Sequence, residues 1–502
     1  MARTIDIPSR IRLCPLLAAA AIFLAPHAQS ATVHALLVGG GPDKENNTAQ
    51  IEEHLRYVTS LVPPSQGRIV LFADGKTSSR NLSYTDDAHL SPGQQALDVL
   101  LPNDDLGAKV LTRTPQLGAP LDGPSRLQSI DRAFHRLAGF SARTGPPVLL
   151  YFAGHGSLSD DETDSNKDKT SLYNLWGDED LDPATLVREI DSLPPRVPVV
   201  LVMAECFSGG FGNVIFKKAD LGAPLNDHPI TGFFASESDR EAAGCGTETN
   251  SPLYQDFSSY FFGALSGRDK LGHRVTDADF DGDGRVSCHE AWCYALIHDE
   301  SIDTPVCTSL IFLRRFADIP DATIFSTSWH DVTASATPAE RAALEALSSR
   351  LGVDGEQRLL TAYDRLMFSD PIGRPEQLRA YRDAQDHLNA LRMSSLATLF
   401  GKWPALRWHD FHDYDRAVRS ATQDLGRNAA ACEDLIQTRD AFDRADEALD
   451  EEEAFLVRFC DLAELIVRTR DLRQHADSAI RARFEALWKA EQEPPGITQT
   501  AP

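Results

Sequence analysis

The chain has 502 residues, of which 42% are hydrophobic and 25% charged, the composition of a globular protein with room for two or three domains. Its formal net charge of −25 weighs against nucleic acid or an anionic membrane as a partner, since both need basic patches, and it suits cation binding.

Arg3, Arg10 and Arg12 precede an apolar run from Leu13 to Ala25, and Ala28 and Ser30 supply the small residues of a cleavage site. Residues 1–30 therefore read as a secretory signal. The run has 13 residues, fewer than the roughly 20 of a membrane span, which disfavours the alternative of an uncleaved anchor. Without this segment the charge becomes −27, since three Arg and one Asp leave with it. No later stretch is apolar for the length of a membrane helix, so a periplasmic or secreted protein with no stable membrane span is expected. Seven cysteines remain, and an odd count in an exported chain suggests up to three disulfides and one free thiol.

From residue 31 to about 328, short β-rich apolar runs alternate with helical segments. The expected strands are His34–Val38, Arg68–Phe72, Pro147–Phe152, Val197–Met203 and Ile230–Ala235. The expected helices are Thr48–Val62, Ser125–Phe140, Pro183–Ser192 and Leu253–Leu265. This alternation predicts an α/β fold, a mostly parallel sheet with helices on both faces. Gly75–Pro124 has no clear period and reads as an insertion. From 329 to 492 the pattern turns helical throughout, which predicts a separate all-α C-terminal domain of long hairpins, a possible surface for a protein partner. Cys432 and Cys460 could form a disulfide only across such a hairpin, or else lie as two core thiols. The acidic run Asp446–Glu453 is either a turn or a solvated helix face, and residues 493–502 read as a disordered tail.

Two of the strands end in reactive residues. Val148–Phe152 runs into Ala153-Gly154-His155-Gly156-Ser157, and Val197–Met203 into Ala204-Glu205-Cys206-Phe207-Ser208-Gly209-Gly210. In an open parallel sheet, functional groups gather beyond the carboxyl ends of the strands, so imidazole and thiol are expected at one edge. The glycines let backbone approach a substrate closely and aim N–H groups at a developing oxyanion. A thiol needs little activation to attack an acyl carbon. The alternative is that His155 caps a turn and Cys206 is a core thiol. The acidic stretch Ser157–Ser171 reads as a mobile loop beside His155.

These residues resemble the caspase-like cysteine peptidases, the group of caspases, metacaspases, gingipains and legumains. In that group one strand ends in His-Gly and a later one in the nucleophilic Cys, about 50 residues on in caspases. Here the separation is 51, and Cys206-Phe207-Ser208-Gly209-Gly210 is closest to the Cys-x-Ser-Gly wording of legumains and metacaspases. Thr231-Gly-Phe-Phe-Ala-Ser, followed by Cys245, is also similar to the legumain type, and the resemblance spans roughly Val33 to Phe312. It implies peptide hydrolysis through a thioester on Cys206, with His155 passing the proton to the leaving amine. Backbone N–H groups of Gly156 and Cys206 would form the oxyanion hole. Legumains and metacaspases carry an acid two residues before the cysteine, but here Ala204 stands there and Glu205 directly precedes Cys206. The candidates for the substrate pocket are Glu205, whose side chain should face the other way if the strand persists, and Ser236, Glu237 and Asp239 after the fifth strand. The first loop, Gly39–Asn47, holds no arginine, so cleavage after Asp is disfavoured.

A second motif, Asp279-Phe-Asp-Gly-Asp-Gly-Arg-Val-Ser-Cys-His-Glu290, fits the twelve-residue calcium loop. Asp279, Asp281 and Asp283 supply oxygens, Arg285 its carbonyl, Ser287 the often water-bridged position, and Glu290 two closing oxygens. Gly284 makes the sharp turn. Hard oxygen donors select Ca2+, and the alternative is an acidic turn that binds nothing. Cys288 and Cys293 could bridge to Cys307 or Cys245, while zinc is disfavoured because no Cys-x-x-Cys pair occurs. The expected function is an exported cysteine endopeptidase acting on proteins or peptides and binding Ca2+. A transpeptidase or ligase using the same Cys/His pair, or a non-catalytic calcium-binding scaffold, is the alternative.

Overall fold

The computed structural model describes residues 33–497 except 65–66, 87–89, 105, 108, 141–146, 161–169, 250–254, 368–374 and 409–412. The expected signal segment, most of the acidic loop after His155 and the last residues of the tail lie outside the described residues.

Runs that are apolar at nearly every position form strands covered on both faces. In chain order the strands are β1 (His34–Gly39), β2 (Arg68–Phe72), β3 (Leu82–Asp86), β4 (Lys109–Arg113), β5 (Val148–Ala153), β6 (His155–Leu158), β7 (Ser171–Leu175), β8 (Glu179–Leu181), β9 (Val199–Ala204), β10 (Ile230–Phe234) and β11 (Val306–Cys307). The main sheet runs β2-β1-β5-β9-β10-β11, with every neighbour parallel except the antiparallel edge strand β11. Every residue of β5, β9 and β10 is buried. Helices Ala49–Leu61 and Phe257–Ser266 pack together as one layer, and Leu127–Phe140 and Pro183–Ile190 as another. In Leu127–Phe140 the buried residues Ile130, Ala133, Phe134 and Leu137 recur at helical spacing, which gives the one apolar stripe such a layer needs. The fold is thus the expected mixed α/β with a mostly parallel sheet.

The expected insertion contains regular elements: β3 and β4 pair antiparallel on either side of the helix Pro92–Leu100 in the chain. That helix starts with a capping box between Ser91 and Gln94, a local signal the absence of periodicity hid. Nor do the C-terminal helices stand apart behind a boundary near 328. A single core joins the sheet to Phe455, Phe459, Leu462, Ile466 and Phe484, while a second, smaller core packs Leu97 and Leu100 against Leu388, Leu406, Ala421 and Leu435. The expected hairpin is one helix, Ala429–His475, of 47 residues, about 70 Å long. Cys432 and Cys460 both lie on it, far beyond disulfide reach. All seven described cysteines are free thiols. Asp446–Glu453 is helical, and Pro495–Ile497 of the expected tail are buried rather than frayed.

Arg458 fastens the long helix to the α/β body. It is fully buried with Asp299 and donates to the carbonyls of Asp303 (2.6 Å), Ser301 (2.9 Å) and Asp299. Removing one partner of a buried pair strands the other charge. Arg458→Ala is expected to cost about 3–5 kcal/mol, read as a lower thermal unfolding temperature. An unchanged temperature would contradict this fastening.

Candidate active site

Register builds the site. Ala153 of β5 pairs with Ala204 of β9, so His155 and Cys206 each stand two residues beyond a matched pair at the same sheet edge. The two strand ends press together: a methyl group on Gly156 would collide with the Cys206 carbonyl and lie 3.0 Å from Cγ of Glu205. Only glycine allows this approach.

His155 opens β6, which pairs antiparallel with β7, opposite Asn174. Its Nε2 lies 2.8 Å from the Asn46 carbonyl. A carbonyl only accepts, so Nε2 carries the proton and Nδ1 remains the acceptor of the neutral ring. The Asn46 carbonyl is itself positioned by Asp43, whose Oδ1 accepts from the Asn46 backbone N–H at 2.9 Å and whose two oxygens accept from its side-chain amide at 3.0 and 2.9 Å. Burial works against the Asp43 charge, but the Asn46 donors outweigh it and, with nearby His155, hold the carboxyl below its usual range. A side chain on Gly41 would strike the Asn46 carbonyl. None of this was visible in the residue pattern, because a backbone carbonyl leaves no sequence signature; Gly41 was the sole trace.

The turn after Cys206 is equally tight. Phe207 adopts the left-handed conformation (φ 60°), with its carbonyl accepting from Ser171 Oγ at 2.6 Å. Gly210 gives room to Ser171, and Gly209 to the Ser236 carbonyl. Ser208 and Ser236 bond reciprocally: the Ser236 N–H donates to Ser208 Oγ (3.1 Å), and the Ser208 N–H to Ser236 Oγ (3.3 Å). Packing therefore accounts for the Ser-Gly-Gly wording after Cys206.

The sulfur is covered by a strap. Cys206 Sγ accepts from the Ala242 N–H (3.3 Å) and donates to the Ala242 carbonyl (3.6 Å), while the Phe207 N–H donates to the Arg240 carbonyl (2.7 Å). Asp303 holds the Ala243 N–H at 2.6 Å, and Gln50 the Gly246 N–H at 2.8 Å. Cys245 lies in this strap beside Cys206. The neighbouring Cys245 sulfur, with burial behind it, pushes the Cys206 thiol up, and Cys206 in turn holds the Cys245 thiol below its usual value.

The expected substrate-pocket residues differ in burial and partners. Glu205 is buried with no hydrogen bond of good geometry to either oxygen among the described residues, and burial, reinforced by Cys206, pushes its carboxyl well above the ordinary range. Ser236 is fully buried, its hydroxyl also donating to the Glu205 carbonyl (3.4 Å). Glu237 accepts from Arg314 (2.6 Å), which also binds Asp461 and Glu464 of the long helix (both 2.8 Å). Asp239 is exposed.

The acidic loop is separate. Carboxylate oxygens of Asp279, Asp281 and Asp283 lie within 4.8 Å of one another, the widest spacing that ligands about 2.4 Å from a common Ca2+ can have. Asp279 also accepts from the N–H groups of Gly282 (2.8 Å) and Gly284 (2.9 Å), which curls the loop around the carboxylates. Glu290 is turned to the helix start, with Oε1 accepting from Phe280 N–H (2.9 Å) and Oε2 from Ser287 N–H (2.9 Å). Arg285 pairs with Glu493 at 3.6 Å. The three Asp fit a calcium ion; Glu290 and Ser287, locked in a capping box, would have to give up bonds to join them.

No protein-family model matches the chain, and no curated protein does. Among solved structures, the crystal structure of a structural-genomics target from Geobacter sulfurreducens aligns with 55% of this chain and 92% of its own, at 12% identity and a TM-score of 0.30.

Because Cys245 is the largest influence holding the Cys206 thiol up, Cys245→Ala is expected to move the pH profile of Cys206 alkylation to lower pH. Iodoacetamide labelling mapped by mass spectrometry should be several-fold faster at pH 8. An unmoved profile would show that the pair does not set the reactivity.

Proposed function

We propose that the protein is an exported cysteine endopeptidase in which Cys206 attacks the peptide carbonyl and His155 handles the proton. The observation that carries this reading is the paired register that sets both residues two positions beyond Ala153 and Ala204. His155, with its proton held on Nε2 by Asn46, takes the thiol proton on Nδ1 and later delivers it to the leaving amine. The backbone N–H groups of Gly156 and Cys206 receive the oxyanion. Water then hydrolyses the thioester and returns the free thiol. The strap across the sulfur must yield for substrate to enter. An amine in place of water would make the same intermediate a transpeptidase.

The test is cleavage of a peptide library by the full chain. Cys206→Ala is expected to abolish cleavage, and His155→Ala to lower kcat/KM by roughly 10²–10⁴. Cleavage that survives Cys206→Ala would refute the assignment. A folded wild-type protein that cuts nothing after release of the strap would favour the scaffold reading.

Ca2+ held by Asp279, Asp281 and Asp283 would offset two of their three clustered negative charges and brace the turn that leads into the helix Cys288–His298. At a hundredfold excess over Kd, Ca2+ is expected to stabilise the protein by about 2.7 kcal/mol, and chelation to reverse this. Asp281→Ala should remove the response, and a thermal shift that persists in that variant would place the ion elsewhere.

A further inference from the structure

At the amino ends of β9 and β10, remote from Cys206, lies a cleft of about 1190 Å³. Six residues of β9 separate the two ends, roughly 20 Å at strand spacing. The volume slightly exceeds the about 300–1,000 Å³ typical of small-molecule sites. Its walls come from four parts of the chain: the turn before β9, the segment between the Cys206 turn and β10, the helix Thr308–Phe316, and the last helix, Ser478–Glu491.

The lining is amphipathic. Leu193, Ile215 and Phe312 are buried apolar residues on its walls. Arg196, Lys218 and Arg483 also line it; all three are exposed and none forms a salt bridge within 4.0 Å among the described residues, though Arg196 acts at longer range on Asp227. Arg196 (φ 67°) and Lys218 (φ 60°) are held in the left-handed backbone region that residues other than glycine seldom adopt. The side-chain nitrogen of Asn226, another lining residue, is buried without a hydrogen-bond acceptor. Two carboxylates, Asp191 and Asp227, also line the cleft, but Arg196, Lys217, Lys218 and Arg483 outnumber them, and in a chain of net charge −25 this cationic excess with an unused donor is a local exception.

We propose that this cleft binds a small amphipathic anion, a carboxylate, sulfonate or phosphate carried on an apolar body. Electrostatics decides against an acidic macromolecule. At physiological salt the screening length is about 8 Å, so a small ligand feels the cleft's cations, whereas an extended acidic surface also meets the surrounding negative charge. The site is independent of the proposed peptidase chemistry and stands or falls without it.

The full chain would be titrated with 1-anilinonaphthalene-8-sulfonate and with N-phenyl-1-naphthylamine, a closely similar aromatic body lacking the charge. One saturable sulfonate site is expected, weakening with added salt and much tighter than for the neutral probe. The combined Arg196→Gln, Lys218→Gln and Arg483→Gln variant should bind about tenfold more weakly, the order expected for three exposed ion contacts. Asp227→Asn, which releases Lys217 from a 2.9 Å ion pair, should bind more tightly, and Cys206→Ala should bind as the wild type does. Equal affinity for the two probes, or unchanged affinity in both charge variants, would overturn the proposal.

Discussion

One alignment governs the candidate site: the parallel pairing that sets Ala153 against Ala204. A slip of one residue would turn every side chain of a strand to the opposite face, and both faces here are buried, so the register is strongly specified. Beyond the strand ends, main-chain atoms do most of the aiming. Gly156 lets the two strand ends touch, Phe207 turns left-handed, and the Asn46 carbonyl fixes the histidine ring. The reactive side chains are few, but the backbone that aims them is held at many points.

The C-terminal helices enter this picture as positioning elements. Arg458 binds the Asp299–Asp303 turn, and Asp303 in turn holds Ala243, whose neighbour Ala242 brackets the Cys206 sulfur. A parallel connection runs from Asp461 and Glu464 through Arg314 to Glu237, just after β10. Arg240 reaches Glu453 on the same helix at 2.9 Å. Three contacts thus tie one long helix to the loop that covers the thiol.

The main sheet was legible because buried strands are apolar at almost every position, a pattern that β1, β5 and β9 display without ambiguity. The small strands β6, β7 and β8 were not, since His155–Leu158 and Glu179–Leu181 are polar and their pairing depends on partners distant in sequence. Helical periodicity identified Ala429–His475 as helical but does not say whether a long apolar pattern folds back or runs straight. The packing of Phe455 to Leu472 into the core of the α/β body settled that, and tertiary packing is what a local pattern lacks. His155 and Cys206 stood out in the chain because each follows an apolar strand run, with glycines flanking His155 and Gly209-Gly210 shortly after Cys206. Asn46 and Ala242 act through main-chain atoms that every residue type possesses.

The central claim concerns one imidazole and one sulfur sharing a rim. Its most direct test is a crystal structure of the protein after reaction with a peptidyl acyloxymethyl ketone. The account predicts a covalent bond from Cys206 Sγ to the inhibitor, the strap of Arg240–Gly246 displaced, and the His155 ring beside the adduct with Nε2 still on the Asn46 carbonyl. An adduct on Cys245 instead, or an imidazole separated from Cys206 by packed side chains, would contradict it.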